Sequence, residues 1–198
     1  MRPTATSFSA LCAIAALAAG CSTPPSHLYT LSPNATAAAA AAPLAVSVIV
    51  GPISIPAIVD LPQIVVTTSA NQVTLDEFNR WASPLQSNIS RVVAQNLVAL
   101  LGTPRVAQFQ QSLNLDADYR VAIEVQSFES SPGTSAALNA VWVVRRTKDG
   151  KAMTGRTNVS EPTGAAGYDA LAAAHSRALA QMSQAIADAI RALDRAGS

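Results

Sequence analysis

Residues 83–102, SPLQSNISRVVAQNLVALLG, decide the fold because they define its first long helix. Pro84 stands at a position that favours a helix start, and Ser83 with Gln86 forms a capping-box pattern around it. Apolar residues then recur at helical spacing until Gly102 and Pro104 mark the end. They are Leu85, Ile89, Val92, Val93, Leu97, Leu100 and Leu101. The sequence therefore predicts an amphipathic helix with Ser83 as its N-cap.

A second long amphipathic helix is predicted near the end of the chain, over about residues 168–193. Its apolar stripe is interleaved with alanines, which allow close packing against a neighbouring element. The stripe consists of Leu171, His175, Leu179, Met182, Ile186, Ile190 and Leu193.

Alternating apolar residues predict strands on both sides of the first helix, at residues 44–50, 64–67, 119–126 and 138–144. Asp149 and Gly150 indicate a tight hairpin turn that leads into a further strand at 153–159. Prolines 52, 56 and 62 exclude a regular central strand from residues 51–56, so a bent edge or a loop is predicted there. The elements can bury their apolar faces only on one another. We therefore expect a single two-layer α/β domain over residues 44–196, in which one mainly antiparallel sheet packs against two long amphipathic helices.

The first twenty residues resemble a lipoprotein signal peptide. Residues 8–19 form an apolar run that is shorter than the roughly 20 residues needed to span a bilayer. The run ends in LAAGC at 17–21, which resembles the lipobox of bacterial lipoproteins, so Cys21 is predicted to carry the lipid anchor. The three acyl chains of such an anchor hold a protein stably at a membrane. An ordinary signal peptide with a chance cysteine is the alternative.

Two features follow the predicted anchor. Ser22 stands where an aspartate resembles the inner-membrane retention signal, so Ser22 favours sorting to the outer membrane, with the domain facing the periplasm. Residues 21–43 are rich in alanine, proline and serine and predict a lipidated tether, with room for one ordered patch at residues 27–31.

Composition and motifs give no support for nucleic-acid binding or catalysis. The formal net charge is +1, which offers no excess of cations to neutralise phosphates. A Gly-x-Ser-x-Gly motif is absent, the two cysteines are Cys12 and Cys21, and no residues have metal-ligand spacing. His175 lies on an apolar helix face, which favours a core histidine over a general base. We therefore expect no catalytic residue, no metal and no cofactor.

Two surface features are candidates for binding. Ile53, Ile55 and Ile58 are too apolar for an idle loop, and with Trp81 they predict a partner interface, although they could equally wrap the core. A basic cluster at the predicted hairpin turn could meet an anionic surface, or could simply keep the sheet edge soluble. This cluster consists of Arg145, Arg146, Lys148 and Lys151.

Five segments in order resemble the PqiC/YmbA-type lipoproteins, the auxiliary lipoprotein component of ABC-type transport systems. They are YTL at 29–31, VGPISIP at 50–56, LPQIV at 61–65, RWASPL at 80–85 and QNL at 95–97. The chain departs from the family at Leu61, where arginine is common, and at Ser83, where glutamate is common.

The resemblance implies a non-catalytic, outer-membrane-anchored subunit of an intermembrane lipid-transport system. Its expected partners are an MCE-domain protein, inner-membrane transport components and further copies of itself, with no nucleic acid. The alternative is a structural or assembly lipoprotein that tethers envelope partners without handling lipid.

Overall fold

Two long helices lie where the apolar spacing predicts them. The computed structural model describes residues 25–36, 42–109 and 116–197, and within these ranges helix α1 spans Leu85–Leu101 and helix α2 spans Tyr168–Arg195. All seven residues of the predicted α2 stripe, including His175, are buried. Gly102 ends α1 in the left-handed conformation, with φ of 67°, and its N–H donates to the Val98 carbonyl at 3.1 Å. Glycine adopts this conformation without steric cost, which explains why the helix stops there.

The predicted N-cap is wrong by one residue. Pro84 occupies the N-cap position with ψ of 130°, and no side chain caps the helix. Proline has no side-chain acceptor, so it cannot cap the first turn as Ser83 was expected to do. The Pro84 carbonyl accepts from the Asn88 N–H at 3.0 Å. The Gln86 side chain donates instead to the Ile53 carbonyl, which links α1 to a strand.

The predicted α/β two-layer architecture is confirmed, but the strands divide between two mixed sheets. Within the described residues, a three-stranded sheet has the order β1–β4–β3 and a five-stranded sheet has the order β5–β2–β6–β7–β8. The strands are β1 (His27–Tyr29), β2 (Val48–Ser54), β3 (Gln63–Ser69), β4 (Gln72–Trp81), β5 (Val106–Gln108), β6 (Tyr119–Ser131), β7 (Ser135–Arg146) and β8 (Ala152–Pro162).

The five-stranded sheet contains the predicted antiparallel meander of β6, β7 and β8. Strand β2 is parallel to both β5 and β6, which makes the sheet mixed. Alternate residues of β7 face the helices and are buried, as a half-covered strand requires. They are Ala136, Leu138, Ala140, Trp142 and Val144.

Strand β2 continues through Pro52, one of the three prolines that were expected to exclude a regular central strand. It runs to Ser54, although its register with β6 shifts between Val50 and Ile53. β5 pairs with β2 only as far as Val50, so the nitrogen of Pro52 lies beyond that ladder and within the β6 irregularity. Neither neighbouring strand therefore requires the donor that proline lacks. The predicted departure from a regular strand is present as a register shift, but it lies within a strand between β5 and β6 and not at a sheet edge or in a loop.

Candidate functional site

The predicted lipid anchor Cys21 and the predicted sorting residue Ser22 lie outside the described residues. The ordered patch expected at residues 27–31 is present: His27–Tyr29 forms β1, parallel to the end of β4, and Leu31 is buried. The following residues lie against both helices. The Ser32 N–H donates to Ser176 Oγ at 3.0 Å, and the N–H groups of residues 34 and 35 both donate to Asn96 Oδ1 at 3.1 Å.

The predicted interface residues lie in different surroundings. Ile53 is buried in the core, Ile55 is partly buried and packs against it, and Ile58 is 58% exposed. Trp81, the last residue of β4, is buried. The structure thus places Ile53 and Trp81 among core side chains and leaves Ile58 accessible, and the role of the four residues in binding stays a prediction.

A small cleft of about 250 Å³ lies beside the bend of β2, between β5 and the first turns of α1. Gly51 forms one wall with φ of +125°, and a Cβ built there would come within 2.7 Å of the Phe109 Cβ. Glycine is therefore required both by the backbone conformation and by the close approach of Phe109. The cleft is lined by Val50, Gly51, Pro52, Ile53, Gln86, Ser87, Ser90, Gln108 and Phe109.

His175 belongs to an aromatic cluster that joins the two sheets. Its ring stacks on Phe128 of β6 at 3.8 Å between centroids and meets Trp81 of β4 edge to face at 6.3 Å. Its Nε2 is 2.8 Å from Ser130 Oγ, and among the described residues its Nδ1 has no hydrogen-bond partner. Burial lowers the pKa of His175 to about 3, so the imidazole is neutral near pH 7. The preference for a core histidine is confirmed.

The hairpin turn forms as predicted, but much of its basic cluster is engaged within the protein. Arg146 is buried, pairs with Asp149 through Nη2 and Oδ2 at 2.6 Å, and donates from Nη1 to the Leu193 carbonyl of α2. Hydrogen bonds from Arg146 lower the pKa of Asp149 to about 2. Lys148 donates to the Gly197 carbonyl at 3.2 Å. The cluster therefore fixes the hairpin to the end of α2.

A second cleft, of about 460 Å³, lies beneath this hairpin. Asp118 lines it and accepts from both Ser47 N and Ser47 Oγ at 2.7 Å. These hydrogen bonds hold the pKa of Asp118 below its usual range. In the ranges that the structure describes, no group of three or more metal-ligating side chains comes together. Asp118 thus serves the packing of residue 47 against β6.

Sequence reasoning missed the polar residues that hold residues 30–35 in place. Asn96 is fully buried on α1, accepts from residues 34 and 35, and donates to Ser183 Oγ at 3.2 Å. Arg91 of α1 donates from Nη2 to the Leu31 carbonyl at 2.6 Å. Asparagine and serine within apolar helical stripes were the available signal, since buried polar groups need partners. Across the described ranges, no helix has the length and apolar character to cross a membrane.

The comparisons with known proteins concern the whole folded body. The family model described as "ABC-type transport auxiliary lipoprotein component" matches residues 29–187. A crystal structure of a Xanthomonas campestris protein, under the family model DUF330, is 20% identical, with a TM-score of 0.71 over 87% of this chain and 100% of that chain. A crystal structure of an uncharacterised protein is 21% identical, with a TM-score of 0.67 over 84% of this chain and 99% of that chain. These two likenesses concern the fold. No curated protein matches by sequence.

Proposed function

The chain belongs to the family of ABC-type transport auxiliary lipoprotein components, and on that premise we propose that it is a periplasm-facing, lipid-anchored subunit of an intermembrane lipid-transport system. Membership of a lipoprotein family implies a membrane-anchored place in the cell envelope. The observation that carries the proposal is the extent of the family match, because residues 29–187 include all but the first residues of β1 and the end of α2.

The anchor in this proposal is Cys21, and Ser22 directs the protein to the outer membrane. Every described element begins after residue 21, the first of them at His27. Cys21→Ala should therefore leave the fold intact and move the protein from the membrane fraction to the soluble fraction. Membrane flotation followed by a carbonate wash measures this, and Ser22→Ala is the matched control that should remain bound. A Cys21→Ala variant that still floats with outer membranes would contradict the lipid anchor.

The protein acts in this proposal by docking and not by catalysis. The groups that could suggest chemistry have structural roles here: His175 is a neutral core residue and Arg146 is bound to Asp149 and α2. The expected partners are an MCE-domain protein and inner-membrane transport components, and self-association of the chain is also expected.

Crosslinking in intact cells, followed by purification in detergent, tests this partnership. We expect an MCE-domain protein to be recovered with the wild-type chain and to be reduced with Cys21→Ala, because loss of the anchor removes the chain from the membrane at which the proposal places it. Recovery of no MCE-domain protein under several crosslinking chemistries would refute the assignment. Size-exclusion chromatography of the purified chain tests self-association.

The second candidate is a tethering lipoprotein that holds envelope components without touching lipid. The two clefts described above favour it, because both are open and lined by polar as well as apolar groups, unlike a closed apolar cavity for an acyl chain. Mass spectrometry of lipid extracted from the purified Cys21→Ala chain separates the candidates. A stoichiometric bound lipid would support lipid handling, and its absence with retained partner binding would support tethering.

A further inference from the structure

The three-stranded sheet carries an unusual share of the exposed apolar surface. Eight large apolar side chains are exposed in the described residues, and four of them lie on this sheet. They are Leu28 of β1 and Val73, Leu75 and Phe78 of β4. Exposed apolar side chains that cluster in this way usually mark a contact surface.

Strand register places three of the four on one face. Leu75 pairs with Val65 and Val73 with Thr67, and both partners are alternate residues of β3. Leu28 pairs with Arg80, which in turn pairs with Gln63, two residues before Val65. Because alternate residues of a strand share a face, Leu28, Val73 and Leu75 all lie on it. Phe78 lies in the irregular part of β4 between them. We call the face that carries Leu28, Val73 and Leu75 the outer face.

The opposite face fixes the sheet to the helical layer. Tyr168, the first residue of α2, donates from its hydroxyl to Asp76 Oδ2 at 2.6 Å. The Tyr29 hydroxyl donates to Asn79 Oδ1 at 2.8 Å, and the two tyrosine rings lie 5.8 Å apart. These contacts hold β1 and β4 against α2. The outer face therefore points away from α2, in a fixed orientation relative to the rest of the domain.

The distance from the anchor to this sheet is short. Six residue steps separate Cys21 from His27, and a fully extended chain covers at most about 20 Å over that length. The sheet that receives the anchored segment is thus the same sheet that exposes the apolar face. A domain held this closely presents its nearest surface to the membrane.

We infer that the outer face of the three-stranded sheet lies against the lipid surface in which Cys21 is anchored, an inference that rests on the proposed lipid anchor. Leu28, Leu75 and Phe78 then contact the boundary between headgroups and acyl chains. Arg80 lies on this face and forms an ion pair with Glu77 at 3.6 Å, so its charge is compensated and the face needs no anionic lipid. The sheet thereby sets the orientation of the domain on the membrane.

Fluorescence quenching in vesicles tests this inference with the full lipidated chain. A polarity-sensitive fluorophore is attached at Leu75→Cys or Phe78→Cys, and Met153→Cys on β8 is the matched control. Met153 has a similar exposed fraction, 38% against 43% for Leu75, but lies on the other sheet. The vesicles are phosphatidylcholine with a fraction of nitroxide-labelled lipid. Urea unfolding midpoints near that of the wild type establish that the labelled variants are folded.

We expect the labelled lipid to reduce fluorescence by about two-fold at positions 75 and 78 and to leave position 153 nearly unchanged. Absence of quenching at 75 and 78 in a chain that floats with the vesicles would overturn the inference and leave the anchor intact. Failure to float would instead refute the anchor, and the inference with it. Disulfide-linked dimers through Leu75→Cys in unlabelled chains would show that a second copy covers the face, which also overturns the inference.

Discussion

The two sheets use apolar residues in opposite ways. On β7 of the five-stranded sheet, every second side chain from Ala136 to Val144 is buried under the helices. On β4 of the three-stranded sheet, Val73 and Leu75 follow the same alternation but remain exposed. The residue types and spacing are alike, so the difference arises from what packs on each sheet. Periodicity alone therefore predicts a strand but does not predict whether its apolar face serves the fold or a contact.

Helix α2 explains the difference. Its apolar stripe from Leu171 to Leu193 packs in the core between the helices and the five-stranded sheet. It meets the strands of the smaller sheet at its N-terminal end, where Tyr168 binds Asp76 and Tyr29, and through His175 beside Trp81. In the part of the chain that the structure describes, Leu28, Val73 and Leu75 on the outer face stay exposed, whereas Val65 on the same face is buried. An element that the fold does not cover is available for a membrane or a partner.

The largest effect is expected when one leucine on each sheet is truncated to alanine and the two losses of stability are compared. Leu138→Ala on β7 should lower the free energy of unfolding by about 2–5 kcal/mol, because it removes buried methyl groups and leaves a cavity. Leu75→Ala on β4 should lower it by less than about 0.5 kcal/mol, because that side chain is substantially exposed. Urea denaturation of both variants measures the difference. Equal losses would mean that the outer face is covered in the isolated chain.

The junction between the sheets gives a pH-dependent test. The unfolded chain binds a proton at His175 as the pH falls below about 6.5, whereas the buried imidazole resists protonation until about 3. The neutral His175 imidazole therefore contributes its full stabilisation of the folded chain above about pH 6.5. This contribution is lost as the pH falls below that value. We expect the free energy of unfolding to decrease by about 2 kcal/mol between pH 6.5 and 5 from this group.

His175→Phe is the matched variant for that experiment, since it keeps an aromatic ring beside Phe128 and Trp81. Its free energy of unfolding should change much less between pH 6.5 and 5. A slope that remains as steep as in the wild type would show that His175 is not the group responsible. The comparison of slopes is independent of the absolute stability of the variant.

The segment that joins the small sheet to the helices offers a more moderate test. Asn96→Ala leaves the N–H groups of residues 34 and 35 without their acceptor and should cost about 1–2 kcal/mol. Hydrogen exchange at these two amides should accelerate more than exchange in β7. Ser87→Ala, on the exposed side of the same helix, is the control. Unchanged protection at residues 34 and 35 would mean that other contacts hold the segment.

The elements that the sequence predicts best are those with the densest apolar periodicity. Helices α1 and α2 and the β6–β7–β8 meander follow from spacing because their buried faces are nearly continuous. Strand β4 was not predicted, since residues 72–80 are mostly polar and the apolar side chains among them, Val73, Leu75 and Phe78, are exposed. Its pairing partners, β1 and β3, supply the hydrogen bonds that propensity does not indicate.

The candidate site is less predictable because it depends on which faces meet. Trp81 and Ile53 were grouped with Ile58 from their apolar character, but long-range packing buries the first two and leaves the third exposed. Nothing local to Trp81 reveals Phe128 and His175, which lie far along the chain. The anchor at Cys21 remains a prediction from the lipobox pattern, outside the described residues.

The smallest expected effect lies where β4 of the three-stranded sheet leads into α1. Ser83 has the sequence pattern of an N-cap, and removing such a cap usually costs about 1 kcal/mol. Here Pro84 holds the N-cap position without a side-chain hydrogen bond, so Ser83→Ala should lower the free energy of unfolding by less than about 0.5 kcal/mol. Gln86→Ala, which removes the donor to the Ile53 carbonyl, should cost more, about 1 kcal/mol. Urea denaturation resolves the order of the two variants. A larger loss of stability in Ser83→Ala would show that the hydroxyl caps the first turn of α1 in solution. A larger loss in Gln86→Ala, the expected result, would show that the contact between α1 and β2 holds the start of the helix.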